Sequence, residues 1–215
     1  SAGLTWRDVE VLRTLRNHLL QIRTHWNADT VNGVLVRNAW AAGALHRAFA
    51  ARFDPGVPGD RAAAVGEADA SFARALEAVR SLAEDEVLRA FDNLLKAALR
   101  TNAYQRPERP VFSVKVDCRK VEGMPSPRPM CEIYVHSRRL EGIHLRGGKV
   151  ARGGIRWSDR HDDFRTEILG LMKTQMVKNS VIVPVGAKGG FVLKGEVPPR
   201  PALDEYLIDR YREFV

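Results

Sequence analysis

Apolar residues recur at three- and four-residue steps over the first hundred positions and at every second position soon afterwards, so the pattern predicts helices first and strands next. Over residues 5–26, Val9, Leu12, Leu15, Leu19 and Ile22 share one helical face, behind Thr5 and Asp8 in the spacing of a capping box. A second helix is predicted over 31–53, stopped by Asp54, Pro55, Gly56 and Pro58. An alanine-rich third spans 62–79. A fourth opens at a capping box of Ser81 and Glu84 and runs through Val87, Leu88, Phe91, Leu94, Leu95 and Leu99. After a Pro- and Arg-containing connector at 105–110, Phe112, Val114, Val116 and Cys118 alternate with Ser113, Lys115 and Asp117, the period of a half-buried strand. Cys131, Ile133 and Val135 repeat it. Ile143 and Leu145 suggest a third strand and Ile155 a fourth. A helix over 162–178 has acids in its first turn, 181–185 reads as a buried strand, 191–193 continues it beyond a glycine loop, and Pro201 opens a last helix. The expected organisation is a helical region, 1–106, followed by an α/β region, 107–215.

Composition narrows the class only a little. With 215 residues, 45% hydrophobic and 28% charged, the chain has the make-up of an ordinary globular fold with one substantial core or two small ones. Its apolar runs fall far short of the roughly 20 residues of a membrane span, and no leader pattern opens it, so a soluble cytoplasmic protein without a membrane partner is expected. Cys118 and Cys131 have no further Cys or His between them to complete a metal set, so no metal is expected and two buried thiols fit a reducing compartment. A net charge of +8 suits either a nucleic acid or a dianionic small molecule.

The chemistry is concentrated in residues 150–193. Gly153 and Gly154 follow Arg152, and Gly186, Gly189 and Gly190 surround Lys188, so two cations stand where the backbone allows close approach. Gln175 and Lys178 lie three apart (178 − 175) on one face of a helix near its C-terminus. Each feature alone has a plain explanation, as dipole compensation or a solvated turn. Together they differ, because Lys188 follows Lys178 by ten positions (188 − 178) and an intervening strand would bring both ammonium groups to one small anion. His161, Asp162 and Asp163 are adjacent at a helix start, which suits capping better than one metal ion.

The order Gly-Gly-Ile-Arg at 153–156, Gln-x-x-Lys-Asn-Ser at 175–180 and Gly-x-Lys-Gly-Gly at 186–190 resembles the glutamate, leucine, phenylalanine and valine dehydrogenases. The run from Arg152 through Phe164-Arg165-Thr166-Glu167 to Phe191 is most similar to the large-subunit NAD-dependent glutamate dehydrogenases. The resemblance implies an α+β or α/β fold, with the helical region followed by a mixed-sheet, dimerisation-type substrate-binding domain. It implies Lys188 as the catalytic lysine, Lys178 with Gln175 on the substrate's α-carboxylate, and the position before Gly153-Gly154 on the side-chain carboxylate. There the sequence departs from the smaller enzymes, with Arg152 in place of lysine.

The implied reaction is NAD-dependent oxidation of L-glutamate to 2-oxoglutarate and ammonia by an oligomeric parent. A lysine crowded by a second ammonium gives up its proton more readily, which suits it to polarise water or a keto oxygen. No Gly-x-Gly-x-x-Gly turn follows any predicted strand, and Gly189 stands where a P-loop needs Ser or Thr. The Rossmann domain, the NAD site and the family's partner aspartate are therefore expected outside these residues, leaving the fragment inactive alone. The rival readings are a basic nucleic-acid-binding module and an assembly module. Eight basic residues (Arg138, Arg139, Arg146, Lys149, Arg152, Arg156, Arg160, Arg165) carry the first, against which Trp157 and Phe164 are too few aromatics for a stacking platform, so no nucleic-acid partner is expected. Most of these cations are expected on a solvated or ion-paired surface.

Overall fold

The computed structural model describes residues 3–105, 111–178 and 185–215, with the backbone alone for 176–178. Five helices come first: α1 (Trp6–Ile22), α2 (Ala28–Arg37), α3 (Ala39–Phe53), α4 (Arg61–Glu77) and α5 (Leu82–Ala97). The strands β1 (Ala98–Thr101), β2 (Phe112–Asp117), β3 (Cys131–His136), β4 (Leu140–Arg146), β5 (Ile155–Trp157) and β6 (Ala187–Leu193) form one sheet in the order β1-β2-β3-β4-β6-β5. Helix α6 (Phe164–Lys178) connects β5 to β6, and α7 (Ala202–Phe214) follows. Only the β5–β6 pair is parallel among these described strands. No helix of the described residues is long and apolar enough to cross a membrane.

Helix starts follow the capping chemistry. The Thr5 hydroxyl accepts from the Asp8 N–H at 3.3 Å and the Asp8 carboxylate accepts from the Thr5 N–H at 2.8 Å, a complete capping box. At α5 only half of the expected box forms: Ser81 accepts from the Glu84 N–H at 3.5 Å, but Glu84 turns its carboxylate to Asn38 (2.8 Å) and Arg37 (2.7 Å). That contact explains a second departure. The single helix expected over 31–53 is two, broken at Asn38, whose amide bonds both Val34 O and Glu84. A third concerns Leu99, which continues the helical period of α5 but lies in β1, where pairing with β2 outweighs local pattern.

Strand alternation decides which helix each side chain meets. Tyr134, Ile143, Leu145 and Val192 pack against Phe164, Ile168, Leu169 and Met172 of α6. Val135, Leu140, Phe191 and Leu193 point the other way, onto Phe214 of α7. The largest cluster runs without a break from the helices α1–α5 into Phe112, Val114 and Val116 of β2. Thus α1 lies on the α6 side of the sheet, joined to it through a shared core.

Candidate functional site

The β5–α6–β6 unit brings the chemically marked residues together. The expected loop around Lys188 is instead strand: Lys188, Gly189 and Gly190 belong to β6 and pair with Leu145, His144 and Ile143 of β4. The glycines serve packing rather than a turn. A Cβ on Gly190 would stand 2.6 Å from Ile168 Cγ1, so its absence lets α6 settle onto the strand. On the opposite face a Cβ on Gly189 would stand 2.8 Å from Ile155 Cγ1 and 3.1 Å from His144 Cδ2. The expected strand over 181–185 falls mainly on 181–184, which lie outside the described residues.

Upstream of β5 the chain continues alongside β6. The Ala187 N–H donates to Arg152 O at 3.0 Å and the Gly189 N–H donates to Gly154 O at 3.0 Å. Between them Gly153 is pressed so close that a Cβ would overlap the Ala187 carbonyl, 2.5 Å from its carbon and 2.7 Å from the Gln175 amide. Gln175 reaches from α6 into this junction. With its amide oriented by its partners, the nitrogen donates to Ala187 O at 2.8 Å and to Arg152 O at 3.2 Å. Lys188 is half-buried, with its Nζ 3.9 Å from where a Cβ on Gly154 would lie. Five of the six expected site residues (Arg152, Gly153, Gly154, Gln175, Lys188) therefore meet at one junction of three chain segments. Lys178 ends α6, and its side chain lies outside the described residues.

The electrostatic surroundings are mixed. Arg152 is exposed, whereas Arg156 is drawn to Glu167 at 3.3 Å, and Glu167 also accepts from the Ser158 hydroxyl. Asp163 is paired with Arg160. Several cations of the basic stretch thus have acidic or carbonyl partners; Arg139 meets Glu213 at 3.4 Å and Arg146 donates to Lys149 O at 2.8 Å. The fit to a dinucleotide is poor. The β5–α6 turn at 158–163 has no glycine and carries Asp159, Asp162 and Asp163, where a pyrophosphate needs close backbone approach and a positive helix end.

Beneath the site lies a polar layer that the sequence pattern did not disclose. Glu132 on β3 is fully buried and accepts from Arg165 of α6 at 2.7 and 3.2 Å, while His18 Nε2 of α1 lies 2.5 Å away. Arg165, expected with the surface cations, is fully buried. Burial alone would raise the Glu132 carboxyl, but Arg165 and His18 outweigh it and hold it at about 2. A second group surrounds Glu141, which accepts from Tyr134 at 2.6 Å and Lys194 at 2.8 Å and also meets Asn17 and His136. His136, Lys194 and Tyr134 overcome the burial of Glu141 and bring it to about 2. Burial pushes the Cys118 thiol well up and the His136 imidazole down, so both favour their neutral forms.

Comparison with known proteins adds two kinds of match. Residues 71–215 match the family described as "Bacterial NAD-glutamate dehydrogenase, catalytic domain", and residues 1–55 match "Glutamate dehydrogenase, helical motif 3". Three curated relatives named NAD-specific glutamate dehydrogenase are similar to the chain. The Halomonas elongata protein is 48% identical over 221 residues, the whole of this chain and 14% of that protein. The Mycobacterium tuberculosis protein is 46% identical over 209 residues, 94% of this chain and 13% of that protein. The Pseudomonas aeruginosa protein is 46% identical over 199 residues, 89% of this chain and 12% of that protein. The chain thus spans about one-seventh of the length of these relatives.

Proposed function

The chain belongs to the bacterial NAD-glutamate dehydrogenase family, and from that premise we propose that it supplies the substrate side of a catalytic centre. That centre performs NAD-dependent oxidative deamination of L-glutamate to 2-oxoglutarate and ammonia in a cytoplasmic parent enzyme. Lys188 is the catalytic group. Lys178 faces the α-carboxylate, Gln175 shapes that end of the site by giving both amide hydrogens to the Ala187 and Arg152 carbonyls, Arg152 faces the side-chain carboxylate, and Gly153 and Gly154 keep the approach open. What most supports the reading is one junction: Gln175 bridges the Arg152 and Ala187 carbonyls beside Lys188. Residues separated by 36 positions (188 − 152) are thereby brought into one place.

Each role follows from the side chain's chemistry. An ammonium beside the reacting carbon, half-buried in strand β6, can hold a proton at Nζ and move it to or from water or the keto oxygen. The exposed guanidinium of Arg152 offers a planar fork that a distal carboxylate can accept in two hydrogen bonds. Fixing both ends of a dicarboxylate orients its α-carbon, which lowers the entropic part of the barrier. NAD is held by parts of the parent outside these residues.

The test is Lys188→Ala in the full-length protein. A catalytic group acts mainly in the transition state, so kcat is expected to fall by orders of magnitude while glutamate binding, followed by calorimetry, stays near the wild type. A rise in KM with kcat unchanged would make Lys188 a binding residue and overturn its assigned role.

A further inference from the structure

We propose that Arg165, held by Glu132, which His18 braces in turn, is a positioning residue: it fixes α6 against the sheet and so determines where Gln175 clamps the Arg152 and Ala187 carbonyls beside Lys188. The inference rests on the reading of that junction as the glutamate site. It concerns a buried charge cluster that takes no direct part in the chemistry proposed above.

Three observations carry it. First, Arg165 and Glu132 are both completely buried, and the guanidinium meets the carboxylate through two nitrogens at 2.7 and 3.2 Å. A fork of this kind restricts rotation and sliding together, whereas an apolar contact restricts neither sharply. Second, the same helix start is gripped from α1. Gln21 accepts from the Arg165 N–H at 3.1 Å and donates to His161 O at 3.3 Å and Asp162 O at 3.1 Å, while His18 contacts Glu132 and stacks on Tyr134 with centroids 4.8 Å apart. Third, α6 is a continuous helix from Arg165 to Gln175, ten residues (175 − 165) and roughly 15 Å at about 1.5 Å per residue. It therefore transmits a shift at one end to the other. A slide of one residue, about 1.5 Å, is enough to break the 2.8 and 3.2 Å bonds from the Gln175 amide.

Stability alone does not require this arrangement. Replacing a buried ion pair by apolar residues of similar volume is often neutral or stabilising, whereas removing one partner leaves an unpaired buried charge. The double replacement therefore separates geometry from stability. In the full-length protein, Glu132→Leu with Arg165→Met removes both charges, and Arg165→Lys keeps the charge but loses the fork.

Both variants are to be assayed for glutamate and NAD kinetics, with hydrogen exchange followed in peptides covering 170–175. A positioning role predicts at least a tenfold rise in KM for glutamate, little change in KM for NAD, and at least a tenfold loss of protection in those peptides, in whichever variants fold. A merely structural role predicts fewer active molecules with unchanged KM and unchanged exchange in the folded fraction, and that result would overturn the proposal. Failure of the double variant to fold leaves Arg165→Lys to decide by the same two readings. Should the wild-type full-length protein not oxidise glutamate, the functional reading fails instead, and the exchange of 170–175 still decides whether Arg165 positions α6.

Discussion

Replacing Gly153 by alanine adds one methyl group at the tightest point of the candidate site. That methyl would overlap the Ala187 carbonyl oxygen and lie 2.5 Å from its carbon, against an ordinary contact of 3.4 Å or more, so the two segments must separate by more than 0.9 Å (3.4 − 2.5). Three of the hydrogen bonds at this junction end on the Arg152 and Ala187 carbonyls: Ala187 N–H to Arg152 O at 3.0 Å, and the Gln175 amide to Ala187 O at 2.8 Å and Arg152 O at 3.2 Å. At about 1 kcal/mol each, with about 1–2 kcal/mol of overpacking strain, the junction loses about 4–5 kcal/mol of local stability. Gly154→Ala is the control, since its methyl meets only Lys188 Nζ, at 3.9 Å, and its cost should stay within about 0.5 kcal/mol. Hydrogen exchange in the full-length protein reads this directly. Protection of the Ala187 amide is expected to fall by about three to four orders of magnitude in Gly153→Ala and to change little in Gly154→Ala. Equal protection in the two variants would refute the packing argument.

Further outcomes follow from the proposed roles and the buried charges. Truncating Arg152 in the full-length protein should penalise glutamate by about 2–5 kcal/mol in kcat/KM and spare norvaline, whereas truncating Lys178 should weaken both; equal losses in the Arg152 variant would remove it from the specificity site. This chain alone should neither bind NAD by calorimetry nor form NADH from glutamate, and turnover by the purified chain would contradict that. Glu132 and Glu141 have folded values of about 2 against 4.5, so their stabilisation is complete above about pH 4.5 and lost as pH falls towards 2. His136, lowered from 6.5 by burial, adds a loss of the same sign that begins as pH falls below 6.5. Thermal unfolding of the full-length protein across this range should show a shallower acid limb in Glu141→Gln than in the wild type.

What could be read from sequence was set by neighbours close along the chain. Thr5 with Asp8, the stripe from Leu12 to Ile22, and the alternation through Val114 and Val116 each encode their own element, and each appears in the fold. The break at Asn38 is different, because the helical period runs on through it and its partner Glu84 lies 46 residues away. Leu99 likewise keeps the period of α5 and changes element only because β2 is there to pair with β1. Glycines were the most ambiguous signal. At 189 and 190 they look like a turn, yet their purpose is visible only once Ile168 and Ile155 are seen pressing on the strand.

The candidate site was legible as a set of motifs and their order, and the junction of Arg152, Gln175 and Lys188 gives that set a place. Its support was not legible. His18 and Glu132 are 114 residues apart and Glu132 and Arg165 are 33 apart, on three separate elements, so no local spacing marks them as partners. An arginine among many arginines reads as surface until a buried carboxylate is found beneath it.

A structure of the full-length protein with 2-oxoglutarate and the dinucleotide bound tests the central claim most directly. Lys188 Nζ is expected within hydrogen-bonding distance of the keto oxygen, with Lys178 on the α-carboxylate and Arg152 on the distal one. A ligand bound with Lys188 remote from its α-carbon would remove Lys188 from the catalytic role.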